Sequence, residues 1–275
     1  MNLEQLTTNT LVKGNGLWKT EVTEEISYTP NGHELIKEDE KNSFWFSHRL
    51  ACFKAVTHAV LSNAIIDVGG GNGEISKYLQ SINKDVVLLE PGYHGAKNAV
   101  RRGVNHVINS SLFDAGFIDG AFDTAISLDV LEHIEDDEKF LKEIFRILKP
   151  GGKLVLTVPA YQFLFSSFDE EVGHYRRYTL RGLSKKTKNQ GFNIDYKTYF
   201  FSLLPIPILI SRFILYKFKK KNKRKSMGHI SKSGFFGGAL RVLLWTEQLL
   251  MKSKIKIPFG SSCLLILHKP NTHER

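Results

Sequence analysis

Apolar positions Phe46, Leu50, Phe53, Thr57 and Val60 recur at steps of four and three, which predicts an amphipathic helix over residues 40–62. Past residue 63 the pattern changes. Short apolar, β-branched runs at about 64–69, 85–90, 106–110, 124–129 and 153–159 alternate with helical periodicity. That alternation predicts a parallel, doubly wound α/β sheet. Two more apolar runs, 193–201 and 263–269, flank a long stretch over about 202–256, and no internal repeat interrupts the order. Ligands of doubly wound sheets bind at the C-terminal ends of the strands. A glycine cluster, Glu90, Ser111 and Asp129 all fall on that edge.

The glycine cluster is the most informative of these. Residues 65–76 read IIDVGGGNGEIS: a buried-strand run, the acid Asp67, then glycines at 69, 70, 71 and 73 before a helix. Glycines there permit positive φ and let a ligand approach the backbone, and the helix N-terminus beyond offers free N–H groups. A dinucleotide site wants G-x-G-x-x-G, but position 74 is Glu, so the spacing is G-x-G-x-G through Gly69, Gly71 and Gly73. This segment resembles class I S-adenosylmethionine-dependent methyltransferases. Seventeen residues past Gly73, the run DVVLLEP ends in Glu90, an acid placed to accept both hydrogen bonds of a ribose. Residues 122–159, FDTAISLDVLEHIEDDEKFLKEIFRILKPGGKLVLTVP, match the same family's fourth strand, LKPGG turn and fifth strand in order.

The resemblance extends to EKNSFWFSHR (40–49), PAYQFLFSSFDEEVGHYRRYT (159–179), the GF at 191–192 and IPFGSSCLLILHKP (257–270), which are similar to a bacterial, type 11 branch related to the quinone-biosynthesis methyltransferases. It implies a Rossmann-like sheet of seven strands in the order 3-2-1-4-5-7-6, the last strand antiparallel, with a helical insertion before that strand. The division implied is an N-terminal extension and helix over 1–63, a cofactor-binding core over 64–201, a basic and apolar insertion over 202–256, and a closing strand and tail over 257–275.

The implied cofactor is S-adenosyl-L-methionine. Asp67 would orient the loop and the methionine amino group, or else cap the turn. Gly69, Gly71 and Gly73 would give steric access, and Glu90 would hold the ribose. Where relatives carry an acid for the adenine amino group this chain has Ser111, followed by Leu112; the Ser111 hydroxyl could serve, or Asp114 could reach back. Leu128 and Asp129 would line the cofactor. His133 would face the pocket as a candidate base, the alternative being a helix N-terminus whose acids Glu132, Glu135, Asp136 and Asp137 favour the macrodipole. HYRRYT (174–179) falls where the family builds its acceptor site, so Tyr175, Arg176, Arg177 and Tyr178 are candidate substrate contacts and His174 a second candidate base. Arginines can grip a carboxylate or phosphate bidentately, though adjacent ones often form only a solvated face.

Composition adds an asymmetry. Residues 1–180 hold 18 Lys/Arg against 25 Asp/Glu, a net −7, whereas 181–275 hold 20 against 3, a net +17. The densest block is KFKKKNKRK (217–225), which attracts polyanions, nucleic acid or an anionic membrane. Within 200–225 it follows an apolar stretch interrupted by Pro205, Pro207 and Arg212, too short to span a bilayer. The segment reads either as an interfacial anchor or as a packed insertion followed by a solvated charge run. No secretory leader is visible, and Cys52 and Cys263 are too few and scattered for a disulfide framework or a structural zinc site. A cytoplasmic protein is expected, peripheral on the inner membrane face if the anchor holds, and no metal.

The leading reading is methyl transfer to an O or N atom of a small or amphiphilic acceptor, lipid- or saccharide-like. An RNA methyltransferase using the basic C-terminal third is the first alternative, opposed by LDVL at the fourth strand in place of an Asn/Asp-Pro-Pro-aromatic motif and by the lack of a recognisable RNA-binding module. The second is a non-catalytic cofactor-binding regulator, opposed by retention of Asp67, the glycines and Glu90.

Overall fold

The computed structural model describes residues 2–14, 16–20, 44–57, 60–202 and 235–271. Within them one sheet of nine strands carries the fold: β1 (Leu11–Gly14), β2 (Leu17–Thr20), β3 (Ala64–Val68), β4 (Asp85–Leu89), β5 (His106–Asn109), β6 (Phe122–Leu128), β7 (Leu148–Pro159), β8 (Asn193–Phe200) and β9 (Ser262–His268). Their order is β1-β2-β5-β4-β3-β6-β7-β9-β8. The expected seven-strand order lies inside it, as β5-β4-β3-β6-β7-β9-β8. The expectation of seven strands is corrected to nine, because a short hairpin, β1-β2, adds to the β5 edge with β2 parallel to β5. β9 runs antiparallel to both β7 and β8.

The α-helices of the described residues are α1 (Phe44–Thr57), α2 (Glu74–Ser81), α3 (Tyr93–Arg101), α4 (Asp137–Ile147), α5 (Ser167–Glu171), α6 (Leu180–Asn189) and α7 (Phe235–Lys252). The sheet is covered on both faces, as the strand sequences require. Ile65 and Val86 pack with Cys52, Phe53 and Val56 of α1 and Met251 of α7, whereas the next residues in line, Ile66 and Val87, pack with Phe140, Leu141 and Ile144 of α4 and Leu183 of α6. Successive side chains of a strand point to opposite faces, so a run apolar at every position demands a layer on each side. α4 begins where Asp136 accepts the Lys139 N–H at 2.9 Å and Asp137 and Glu138 stand in the first turn.

Of the helix expected over 40–62, residues 40–43, 58 and 59 are outside the described residues and 60–62 are not helical, and β7 is longer than 153–159 because the LKPGG turn pairs within it. α7 lies in the expected insertion; residues 203–234, which include most of the 200–225 segment, are outside the described residues. Among the described residues no helix is long and apolar enough to cross a membrane.

β9 enters the sheet through Gly260. A Cβ there would stand 2.3 Å from the carbonyl oxygen of Phe200 and 2.8 Å from its carbon, and a backbone neighbour cannot turn aside. Gly260→Ala should therefore cost about 1–3 kcal/mol or more in urea unfolding, while Gly14→Ala, which meets nothing within 4 Å, should stay within about 0.5 kcal/mol of the parent.

Candidate active site

β3 and β6 are adjacent, and their C-terminal loops meet. Gly69 has φ +70°, and a Cβ on it would come 2.5 Å from Cγ2 of Val130 in the loop after β6. Gly73, with φ +80°, opens α2 where a Cβ would press on Ala99 and Val104, each 2.9 Å away. Gly71 differs: its φ is +54°, yet a Cβ would meet nothing within 4 Å among the described residues. The first and third glycines thus serve close packing, and the middle one borders open space.

Three acids frame that space. Asp67 is buried and its Oδ2 accepts from Ser76 at 2.7 Å; burial pushes its pKa up to about 6 against the opposing pull of Ser76 and Arg49. Glu90 is buried at the end of β4, where Oε2 accepts the Gly71 N–H at 2.9 Å and Oε1 the Gly92 N–H at 2.7 Å. Burial raises it to about 7, beyond what those two donors offset, with the Asp67 charge adding to the rise. Asp129 ends β6 in the left-handed region, φ +56°, a conformation that is uncommon for a residue with a side chain. Its Oδ1 accepts from Thr157 at 3.1 Å.

Arg49 reaches this edge from α1. Its Nη2 donates to the Leu128 carbonyl at 2.9 Å, and its Nε lies 3.4 Å from Asp129 Oδ2. Neither of those last two atoms has a hydrogen-bond partner among the described residues, although both are buried. Trp45, one helical turn earlier, lies 5.2 Å from the guanidinium and stacks on Phe201. Asn109, at the end of β5, holds the Glu90 loop through the Glu90 and Pro91 carbonyls at 2.9 and 2.8 Å.

A second cluster adjoins the first. Glu132 is buried, its pKa raised well above the ordinary carboxylate value by burial and then by the Asp129 charge. The rings of His133 and His174 meet edge to face at 4.6 Å between centroids. Burial, then the neighbouring His174, lower His133 to about 4, so its imidazole is neutral at pH 7. His174 Nδ1 is 3.1 Å from Asp169 Oδ1 and its Nε2 is 4.0 Å from Glu132. Burial pushes Asp169 up, but His174, Arg177 and Ser166 outweigh it and hold it at about 2.

These geometries agree with what the chain is similar to. A profile of the type 11 methyltransferase domain matches residues 66–156. Over those residues, a third of the chain, the sequence is similar to a methyltransferase domain. A protein of Mycolicibacterium smegmatis named probable S-adenosylmethionine-dependent methyltransferase is 21% identical over 170 residues, which is 60% of this chain and 65% of that protein. The ubiquinone biosynthesis O-methyltransferase of Xanthomonas oryzae is 29% identical over 101 residues, 34% of this chain and 41% of the other. The chain thus spans less than two thirds of the length of either relative. Among solved structures, phosphoethanolamine N-methyltransferase 2 of Haemonchus contortus, in complex with S-adenosyl-L-methionine, superposes with a TM-score of 0.58 at 21% identity, over 89% of this chain and 58% of that one; the likeness is one of fold.

The candidate cofactor residues Asp67, Gly69, Gly71, Gly73, Glu90, Leu128 and Asp129 stand together on one edge of the sheet. Ser111 donates to Asp114 at 2.7 Å, so the hydroxyl and the acid weighed for the adenine contact are bonded to each other. Leu112 is buried in the core. The acceptor candidates are held by partners within the chain. Arg177 binds Asp169 through Nη2 and Nε at 2.6 and 2.7 Å. Arg176 lies 3.2 Å from Asp137 and donates to the Glu135 carbonyl, and Tyr178 is buried with its hydroxyl on Asp137. HYRRYT is therefore a strap fastened by internal carboxylates, from which Tyr175, 45% exposed, projects. Arg49 and Asn109 were missing from the sequence reading. Arg49 has a faint signal, a cation one helical turn after a tryptophan, but its partners lie 79 residues onward.

An acid whose pKa is higher in the folded than in the unfolded chain keeps its proton longer when folded, so it withdraws stability as pH rises from about 4 toward about 7. Asp67 and Glu90 are both of this kind. Stability should fall between pH 5 and pH 8 by a few kcal/mol, and urea unfolding of Glu90→Gln and Asp67→Asn should show a smaller fall across the same window, on the order of 2 kcal/mol less for each.

Proposed function

We propose that the chain transfers a methyl group from S-adenosylmethionine to an O or N atom of an amphiphilic acceptor, lipid- or saccharide-like. The observation that carries the cofactor side is the open space at Gly71, backed by the buried Glu90 carboxylate and reached by Arg49. A left-handed glycine without a Cβ, an N–H already oriented by an acid, and a cation at the adjoining loop suit a molecule carrying ribose hydroxyls and an amino-acid end. Glu90 would accept from the ribose, Asp67 and Asp129 would face the methionine ammonium, and Arg49 its carboxylate. Ser111 and Asp114 would meet the adenine edge.

When bound, S-adenosylmethionine supplies an electrophilic methyl on a sulfonium. The chain's task is then alignment and, for an acceptor that must lose a proton, a base. His133 and His174 meet edge to face beside Glu132, so this pair would take that proton at an imidazole, with His174 fixed by Asp169. Arg176, Arg177 and Tyr178 position this pair by holding the strap, and Tyr175 is the member exposed to an acceptor. Tyr161 stacks with Phe163 and Tyr199, both at 5.1 Å, with Phe259 beside it. Phe163 and Phe259 are 64% and 40% exposed at the same edge as the end of β7, a surface suited to an apolar body. Relatives named for ubiquinone and tocopherol O-methylation support an amphiphilic acceptor by analogy.

Titration calorimetry with S-adenosylmethionine tests the cofactor side. Glu90→Ala should weaken binding by roughly 1.5–3 kcal/mol, the range for hydrogen bonds to a charged group; unchanged affinity would remove Glu90 from the site.

The basic and apolar segment 200–225 supports an acceptor met at a membrane, since seven of the nine residues 217–225 are Lys or Arg, each contributing about 1 kcal/mol near an anionic surface. The protein should sediment with anionic vesicles at low salt and release them as salt is added. If it stays in the supernatant, the acceptor is met in solution.

A further inference from the structure

Away from the cofactor edge, α1 and α7 face each other across a dry contact that contains three metal-binding side chains. His48, Cys52 and Glu247 are 3%, 0% and 3% exposed. His48 and Cys52 are four residues apart, on one face of α1, and Glu247 comes from α7. His48 Nε2 is 2.5 Å from Glu247 Oε2 and 3.3 Å from Cys52 Sγ, and all three ligand atoms lie within 4.8 Å of one another.

We propose that these three residues bind one zinc ion, or a divalent transition ion of like chemistry. Charge is the first argument. A divalent cation with one carboxylate, one thiolate and one neutral imidazole is electrically neutral, which suits a contact this buried; binding displaces the Cys52 proton to solvent, as metal sites do. The donor set is the second. Nitrogen, sulfur and oxygen in one group suit zinc, with a water in the fourth position. Tetrahedral bonds of ordinary length place ligand atoms about 3.3–3.8 Å apart. The His48–Cys52 spacing already meets this, and the His48–Glu247 pair opens by about 1 Å to admit the ion.

Orientation is the third argument. Glu247 is fixed by the Phe201 and Ser202 N–H groups at 3.0 and 2.9 Å, which hold its Oε2 toward His48. Outer partners of this sort aim ligands at a metal. The ion would fasten α1 to α7 and to the end of β8, and since Arg49 follows His48 it would also set where that arginine meets Asp129.

The full chain, purified after growth with zinc, should contain about one zinc per molecule by atomic emission. Replacing the ion with cobalt(II) should give the near-ultraviolet thiolate-to-cobalt absorption band, and chelation should lower the melting temperature. Cys52→Ser should lose the band, and His48→Asn and Glu247→Gln should each reduce zinc content at least tenfold while far-ultraviolet circular dichroism shows folded protein. Zinc-free wild type that also takes up no cobalt overturns the proposal. So does cobalt bound without a thiolate band, which would place the ion away from Cys52, for example at Glu132, His133 and His174, the other group able to hold one among the described residues.

Discussion

Burying acids together at one edge of the sheet is the constraint on which the rest of this site depends. Asp67, Glu90 and Glu132 are almost fully buried and Asp129 is close by. They are kept from water by the same packing that shapes the loops, and Asp67 raises the ionisation cost of Glu90 as Asp129 raises that of Glu132. The chain offsets this locally. Ser76 and the Gly71 and Gly92 amides donate to the first two acids, and Arg49 brings its charge from α1. The offset is incomplete, and Asp67 and Glu90 remain well above ordinary carboxylates. Such a site favours any ligand that brings hydroxyl donors or positive charge, because the ligand completes what the protein leaves undone.

The same edge shows a division of labour between close packing and access. Gly69 and Gly73 are glycines because Val130, Ala99 and Val104 occupy the places of their side chains. They bring the loop after β3 against the loop after β6 and against α3. Gly71 is freed from packing by that arrangement, and a left-handed backbone there turns its N–H onto Glu90. The motif spacing is thus the imprint of two packing contacts around one opening.

How much of this could be read from the sequence follows from how local each cause is. The β3 run, the glycine loop and the amphipathic faces are set by near neighbours, and their positions were legible to within a few residues. The β1-β2 hairpin was missed, although Asn15-Gly16 between LVK and LWK is a strong hairpin signal; strands of four residues carry little periodicity. The arginines of HYRRYT resembled surface grips because their partners, Asp137 and Asp169, are remote or hidden in an acidic loop. His48, Cys52 and Glu247 are invisible for the same reason, since 199 residues separate the imidazole from the carboxylate.

The fate of those arginines bears on what the acceptor can be. A guanidinium that binds a buried carboxylate at 2.6 Å is not free to grip a substrate anion without breaking that pair, and separating a buried charge from its partner costs about 3–5 kcal/mol. Asp169 is held by Arg177, His174 and Ser166 together, so taking Arg177 away would also loosen His174, which the strap keeps against His133. Anion recognition by Arg177 and proton transfer by the histidine pair would therefore compete. An acceptor recognised through the exposed rings of Phe163, Phe259 and Tyr175 avoids that conflict, because apolar contact adds affinity without disturbing the ion pairs that hold the two histidines in place.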